Sequence, residues 1–145
     1  MTKSNNRIGR VMAGELNLNK LLASMSPELL PQTYVFYTLE KLNWAEISRL
    51  QPKSFFQEKE GLSLILTQQI ADENNIDYDG VYQCITLNVH SSLEAVGLTA
   101  AVSAALTSKN ISANVVAAFF HDHIFVNEND AQRAWQTLTE LSSKQ

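Results

Sequence analysis

At 145 residues, with 45% hydrophobic and 18% charged residues, the chain has the composition of an ordinary globular protein and lacks the bias of a disordered one. Its net charge of −4 and its scattered lysines and arginines do not provide the clustered positive charge that nucleic-acid binding requires. The single cysteine, the lack of a signal-peptide pattern and the lack of an apolar run near the roughly 18–20 residues of a spanning helix predict a cytoplasmic protein outside the membrane.

The first elements in chain order are a helix and a buried strand. Residues 1–13 are polar and basic without a period, and we assign them no function. From Gly14 onward leucines recur at helical spacing, which predicts a helix that Pro27 and Pro31 terminate. The aromatic and β-branched stretch Thr33–Leu39 then predicts a strand.

A hairpin and a short helix complete the first half. Residues 40–53 leave room only for a short crossover before a hairpin formed by Ser54–Glu60 and Leu62–Leu66. Thr67 is placed to cap a helix over Gln68–Asn75.

The stretch Asp77–Gly80 is the best candidate for a domain boundary, because Asp and Gly together favour a turn. We therefore expect an N-terminal unit over residues 14–80 and a C-terminal unit over residues 81–145.

The second half repeats the strand and helix signals. Alternation predicts a strand over Val81–Val89, and apolar spacing predicts a helix from about Leu93 to Lys109. Strands are expected over Ala113–Phe120 and His123–Val126, and a final helix over Asp130–Ser142. The side chains expected between the helices and the sheet are Leu98, Val102, Leu106, Trp135 and Leu138, with Ile124 and Phe125 on opposite faces of the last strand.

The two halves form a weak internal repeat, in which a hairpin plus a helix recurs about 60 residues later. Ile65, Leu66 and Thr67 fall on Phe125, Val126 and Asn127. Each half is interpreted as the same α/β unit, with an antiparallel sheet and helices on one face. Only the second half has room for a long helix after its first strand, so a site at the start of that helix belongs to the second half.

The stretches His90–Leu106 (HSSLEAVGLTAAVSAAL) and Ile111–Val126 (ISANVVAAFFHDHIFV) resemble the ACT domain family. The similarity extends over about residues 14–141. More narrowly, the sequence resembles small bacterial tandem-ACT proteins of unassigned function and the ACT repeats of the cytosolic arginine sensor and the aspartate kinases. The resemblance implies an α+β, ferredoxin-like fold of two tandem βαββαβ-type units. It also implies that an amino acid binds where the first strand–helix loop of one unit meets a neighbouring unit.

The loop that precedes the long helix is the first part of the candidate site. Free backbone N–H groups and the helix dipole at such a position can hold a carboxylate, and Gly97 permits close approach of a ligand. The candidate ligand-binding residues in this loop are Ser91, Ser92, Leu93, Glu94, Val96, Gly97 and Leu98. The alternative interpretation is that Ser91 or Ser92 only caps the helix and Gly97 only relieves packing.

Asp122, at the tip of the last hairpin, is the second part of the candidate site, because its carboxylate is placed to pair with an ammonium or guanidinium group of a ligand. The resemblance to the arginine sensor's Phe-x-x-Asp-His pattern implies Phe119, Asp122 and His123 as ligand-binding residues. Phe119 and Phe120 are expected to alternate across a strand, one of them in the core. The alternative is that Asp122 is a solvated turn residue.

Metal and catalytic hypotheses have weaker support. His90, His121 and His123 suggest zinc, but no carboxylate or cysteine stands at a typical motif spacing, so no metal or cofactor is expected. Cys84 and His90 would lie about 20 Å apart on one strand, too far to act as nucleophile and base. Cys84 is expected in the core. With no triad, carboxylate pair or phosphate loop, we expect no enzymatic activity.

The leading hypothesis is therefore a regulatory or sensor module that binds a small molecule, namely an amino acid, and acts on a partner protein or as a homodimer. The alternative is a protein-interaction or oligomerisation module with no ligand. Neither hypothesis involves nucleic acid or a membrane.

Overall fold

The β-branched and alternating stretches of the sequence form one antiparallel sheet in the computed structural model, which describes residues 14–145. The strands are β1 (Pro27–Leu39), β2 (Ser54–Gln57), β3 (Leu62–Thr67), β4 (Tyr82–Leu87), β5 (Asn114–Ala117) and β6 (Asp122–Asn127). Their order in the sheet is β2-β3-β1-β4-β6-β5. Residues 1–13, to which we assigned no function, lie outside the described residues.

The helices pack on one face of this curled sheet. They are α1 (Leu18–Ala23), α2 (Trp44–Leu50), α3 (Gln68–Glu73), α4 (Leu98–Thr107) and α5 (Ala131–Ser143), with a 3-10 helix at Glu128–Asp130 before α5. This arrangement confirms the expected α+β, ferredoxin-like class. Among residues 14–145, none of the helices combines the length and the apolar character that a membrane crossing requires.

The two halves join through the pairing of β1 with β4, the first strand of each. Leu29 pairs with Ile85 and Tyr34 with Tyr82 in an antiparallel register. The halves therefore contribute to a single sheet, because each first strand is the neighbour of the other. The boundary between residues 14–80 and 81–145 stays a prediction.

β1 is longer than the sequence predicted, and α1 is shorter. The strand begins at Pro27 rather than Thr33, while the helix begins after its cap Asn17 and ends before both prolines. Pro27 is the first strand residue, and Pro31 lies where the register with β4 shifts between Leu29 and Thr33. Proline is tolerated at such positions because its missing N–H removes no regular ladder bond.

The repeat of hairpin and helix is confirmed, and each hairpin passes into its helix through a capping side chain. Thr67 accepts a hydrogen bond from the Ile70 N–H at 3.3 Å, as predicted for α3. Asn127 accepts from the Asn129 N–H at 2.9 Å at the start of the 3-10 helix. The two caps satisfy backbone donors that otherwise lack partners.

The main core lies between the sheet and the helices. Four of the five predicted core residues are fully buried, namely Leu98, Val102, Leu106 and Leu138. Trp135 is only partly buried, and its indole N–H donates to the Pro27 carbonyl oxygen at 2.9 Å. Ile124 belongs to this core, whereas Phe125 packs edge-on against Tyr34 on the helix-free face, so the predicted alternation along β6 is confirmed.

Candidate functional site

The N-terminal segment that precedes α1 fixes the backbone of the loop between β4 and α4. The Glu15 N–H donates to the His90 carbonyl oxygen at 2.9 Å, and the Ser92 N–H donates to the Glu15 carbonyl oxygen at 3.1 Å. These bonds form a parallel bridge between Glu15 and Ser91. A Cβ atom at Gly14 would lie 2.4 Å from the His90 carbonyl oxygen, so only glycine fits at this contact.

Gly97 ends the loop and precedes α4. The helix begins at Leu98 rather than near Leu93, and Gly97 is its N-cap residue with φ of +104°. The predicted start of this helix near Leu93 was therefore wrong. Residues with a side chain rarely adopt this φ. A Cβ atom here would also lie 3.0 Å from a Leu18 methyl carbon. Both the backbone and its surroundings therefore favour glycine.

Neither serine caps the helix, which corrects the alternative interpretation of the loop. The Ser92 hydroxyl oxygen accepts a hydrogen bond from the Glu94 N–H at 3.1 Å, and the Ala95 N–H donates to the Ser92 carbonyl oxygen at 3.0 Å. Ser92 thus stabilises a turn within the loop. No side chain among residues 14–145 caps the start of α4, which leaves the N–H groups of its first turn available to another acceptor.

A cavity of about 140 Å³ lies between this loop, the start of α4 and the β5–β6 hairpin. Its lining residues are Ser91, Ser92, Leu93, Ala95, Gly97, Leu98, Thr99, Ala117 and Asp122. Six of the predicted site residues therefore meet here. Glu94 and Val96 do not line the cavity, and Val96 is 84% exposed.

Sequence reasoning missed Ala95, Thr99 and Ala117. Thr99 is the second residue of α4. It was missed because the sequence placed the start of this helix earlier in the chain, near Leu93. Ala117 pairs with Asp122 across the hairpin. Strand register was the signal that would have placed Ala117 beside Asp122.

Asp122 is half-buried at the start of β6, on the face that the helices cover. Burial raises the pKa of its carboxyl group above the ordinary value, and the nearby His121 partly opposes this shift. The ion pairs within residues 14–145 are Arg49 with Glu46 and Arg133 with Asp130, so none of them involves Asp122. The carboxylate faces the cavity without a cationic partner in the described chain.

His123 lies on the opposite, helix-free face of β6 and does not join Asp122 in the cavity. Its Nδ1 atom is 2.9 Å from the hydroxyl oxygen of the buried Thr86. Burial, with the positive charges of Lys53 and His121, lowers the pKa of the imidazole. Consecutive residues of a strand point to opposite faces, which explains the separation.

Phe119 and Phe120 lie in the turn between β5 and β6 rather than in a strand, because β5 ends at Ala117. Neither is a core residue, since 55% of Phe119 and 49% of Phe120 is exposed. Their rings pack edge-on with centroids 5.0 Å apart. The centroid of the His90 ring lies 5.9 Å from that of Phe119 and 5.3 Å from that of Phe120. A second cavity of about 180 Å³ lies beside Phe119, lined also by Gly14, His90, Ser91, Ser92 and Leu93.

The residues of the metal and cysteine hypotheses have other contacts. The His121 Nδ1 atom lies 3.1 Å from the Val89 carbonyl oxygen, and His123 contacts Thr86. Within residues 14–145, no three His, Cys, Asp or Glu side chains gather in a metal-binding group. Cys84 is buried, as predicted, and burial raises the pKa of its thiol.

The N-terminal unit has a cavity of about 210 Å³ at the equivalent position, between the loop after β1 and the β2–β3 hairpin. Leu62 pairs with Gln57 there as Asp122 pairs with Ala117. Leu62 is 1% exposed, so a buried leucine replaces the carboxylate. The two units have therefore diverged at the position that gives the C-terminal cavity its charge.

Comparison with known proteins gives a consistent assignment. Residues 13–83 and residues 80–140 each match a model of the ACT domain. Among curated proteins, no sequence matches the chain significantly.

Several solved structures are similar to this chain. A Vibrio cholerae protein of unknown function, described as a possible transport protein, is 45% identical with a TM-score of 0.77, over 86% of this chain and 95% of that one. An Agrobacterium tumefaciens protein is 19% identical with a TM-score of 0.61, over 80% and 87% of the two chains. The regulatory subunit of aspartate kinase from Thermus thermophilus shares the fold at 8% identity, with a TM-score of 0.61 over 81% and 97%. The chain belongs to the ACT domain family and contains two ACT domains in tandem.

Proposed function

We propose that this chain is a regulatory or sensor module that binds an amino acid in the 140 Å³ cavity and has no catalytic activity of its own. Asp122 is the observation that carries the proposal. The Asp122 carboxylate is half-buried and pairs with no cation among residues 14–145, so it loses part of its hydration, and this loss raises its pKa. A ligand ammonium group would supply the missing charge through a charge-assisted hydrogen bond.

The start of α4 supplies the complementary group for the other end of an amino acid. Leu98 and Thr99 are the first residues of this ten-residue helix, and both line the cavity that Asp122 also lines. Uncapped N–H groups and the helix dipole favour a carboxylate at this position. An α-amino acid carries both an ammonium and a carboxylate group, so it matches the two ends of the cavity.

The proposed binding residues are those of the predicted set that line the cavity, with Thr99 added. They are Ser91, Ser92, Leu93, Gly97, Leu98, Thr99 and Asp122. Glu94, Val96 and His123 are left out because they line neither this cavity nor the one beside Phe119.

The regulatory role rests on membership of the ACT family, whose domains typically bind ligands and regulate other proteins. The Thermus thermophilus structure of the same fold is named as the regulatory subunit of an enzyme. We propose that the module works in the cytoplasm and that ligand binding alters its contact with a partner protein or with a second copy. Glu15 is hydrogen-bonded to His90 and Ser92 in the loop between β4 and α4, so a change of this loop on ligand binding would alter those contacts.

A thermal-shift screen of the full chain against the twenty amino acids tests the proposal. Ligand that binds only the folded state raises the melting temperature. We expect at least one amino acid to stabilise the wild type and Asp79→Asn, an exposed carboxylate outside the cavity, but not Asp122→Asn. A wild type that none of the twenty stabilises at millimolar concentration would contradict the proposal.

The helix-free face of the sheet supports a second candidate, an interaction or oligomerisation module. Phe36 is 42% exposed and packs edge-on with Tyr82 and Phe125 on this face. Phe56 is 72% exposed and pairs with Ser63, two residues from the buried Ile65. Exposed aromatic residues of this kind are typical of protein contacts. A homodimer in solution that Phe56→Ser dissociates would favour this candidate.

A further inference from the structure

The second cavity, of about 180 Å³, adjoins the proposed amino-acid site. Ser91, Ser92 and Leu93 line both cavities, so the two share one wall. The remaining lining residues of the second cavity are Gly14, His90 and Phe119. No carboxylate, lysine or arginine of the described chain lines it.

We infer that the side chain of the bound amino acid enters this second cavity, and that the ligand is an amino acid with an apolar or aromatic side chain. The inference rests on the proposed function. It assigns Asp122 to the α-ammonium group of the ligand rather than to a charged side chain.

Several backbone groups of the residues that line this cavity already have hydrogen-bond partners. The Ser91 N–H donates to the Val89 carbonyl oxygen at 3.1 Å, and the Ser92 N–H donates to Glu15. The His90 carbonyl oxygen already accepts from the Glu15 N–H. An ammonium or guanidinium side chain that entered here would lose water without gaining a carboxylate of the described chain as counter-charge, which is unfavourable.

The outer wall of the cavity is apolar and exposed. Leu93 is 70% exposed and Phe119 is 55% exposed, and the contacts of Phe119 with His90 and Phe120 hold its ring beside the cavity. An apolar ligand side chain would remove part of this surface from water. The cavity therefore has the character of a subsite for an apolar side chain.

Norleucine and lysine are the probes for the test, because they share a carbon skeleton and differ by the terminal ammonium group. In calorimetric titration of the full chain, we expect norleucine to bind at least about tenfold more tightly than lysine, because an apolar subsite discriminates against the terminal ammonium group. Equal or tighter binding of lysine or arginine would overturn the inference while leaving amino-acid binding intact. If neither probe nor any of the twenty amino acids binds, the proposed function fails and the inference falls with it.

Phe119→Ala tests whether this cavity is the subsite, and Phe55→Ala is its matched control. Phe55 on β2 is 42% exposed, lines neither cavity and packs against Trp44 rather than against Phe119. Phe119→Ala should weaken norleucine binding by about tenfold while leaving alanine binding unchanged, since the short side chain of alanine does not reach the ring. Norleucine affinity that is equal in Phe119→Ala and the wild type would place the side chain elsewhere and overturn the inference.

Discussion

Asp122 and His123 are consecutive residues on β6, yet they lie on opposite faces of the sheet. Asp122 lines the cavity under the helices, whereas His123 is bonded to Thr86 on the helix-free face. An Asp-His pair in the sequence therefore supplies one residue to the candidate site and one to the other side of the sheet. The two side chains are expected to affect different properties when they are changed.

Asp122→Ala should weaken amino-acid binding while leaving the fold intact. The loss of a hydrogen bond to a charged group is worth about 1.5–3 kcal/mol. The stability of the ligand-free protein should be equal or higher, because burial already disfavours the charged carboxylate. Calorimetric titration and melting temperature on the same preparation measure both effects. Unchanged affinity would show that Asp122 is only a turn residue.

Gly97→Val should lower both stability and ligand affinity. If Gly97 served only to let a ligand approach, its replacement would reduce binding more than stability. However, φ of +104° and the 3.0 Å approach of a Cβ atom to Leu18 make any side chain at this position strained. We expect a destabilisation of about 1–3 kcal/mol, measured by chemical denaturation.

Gly80→Ala is the control for this change, because Gly80 lies in a loop outside both cavities and a Cβ atom there meets only the Tyr82 ring. A Gly97→Val protein as stable as the wild type would contradict the conformational role of Gly97. A destabilised variant that still binds normally would refute the placement of the ligand.

Gly14→Ala should detach the N-terminal segment from the loop between β4 and α4. The new Cβ atom would lie within 2.6 Å of three backbone atoms of residues 90–92, so the segment must move away. The amide protons of Glu15 and Ser92 should then exchange with solvent faster, because their hydrogen bonds pair the segment with the loop. Amide hydrogen exchange measures this. Exchange rates equal to those of the wild type at both amides would show that the pairing survives.

His123→Gln should reduce the loss of stability at mildly acidic pH. The pKa of His123 is lowered below its ordinary value of 6.5. The unfolded state therefore binds a proton more readily than the folded state, and stability falls as pH decreases below about 6.5. As the pH is lowered from 7.5 to 5.5, the melting temperature of His123→Gln minus that of the wild type should therefore increase. A constant difference over this range would contradict the effect.

The sequence by itself determined the local elements. Thr67 capped the predicted helix, Ile124 and Phe125 alternated as expected, and the apolar spacing of Leu98, Val102 and Leu106 identified the buried face of α4. Such features depend on residues a few positions apart, so their periodicity is visible in the chain. The grouping of Asp122 with the loop before α4 as one candidate site was inferred from the family resemblance and stays a prediction.

Only the tertiary structure decided how distant segments meet. The extension of β1 back to Pro27 depends on its pairing with β4, which offers hydrogen-bonding partners that local propensity does not reveal. The contact of Gly14 with the loop between β4 and α4 likewise involves His90, which is remote in sequence. At Gly97, the space for a side chain is limited by the equally remote Leu18. Long-range pairing sets these features, because the free energy of such contacts belongs to the folded arrangement and not to any short stretch of chain.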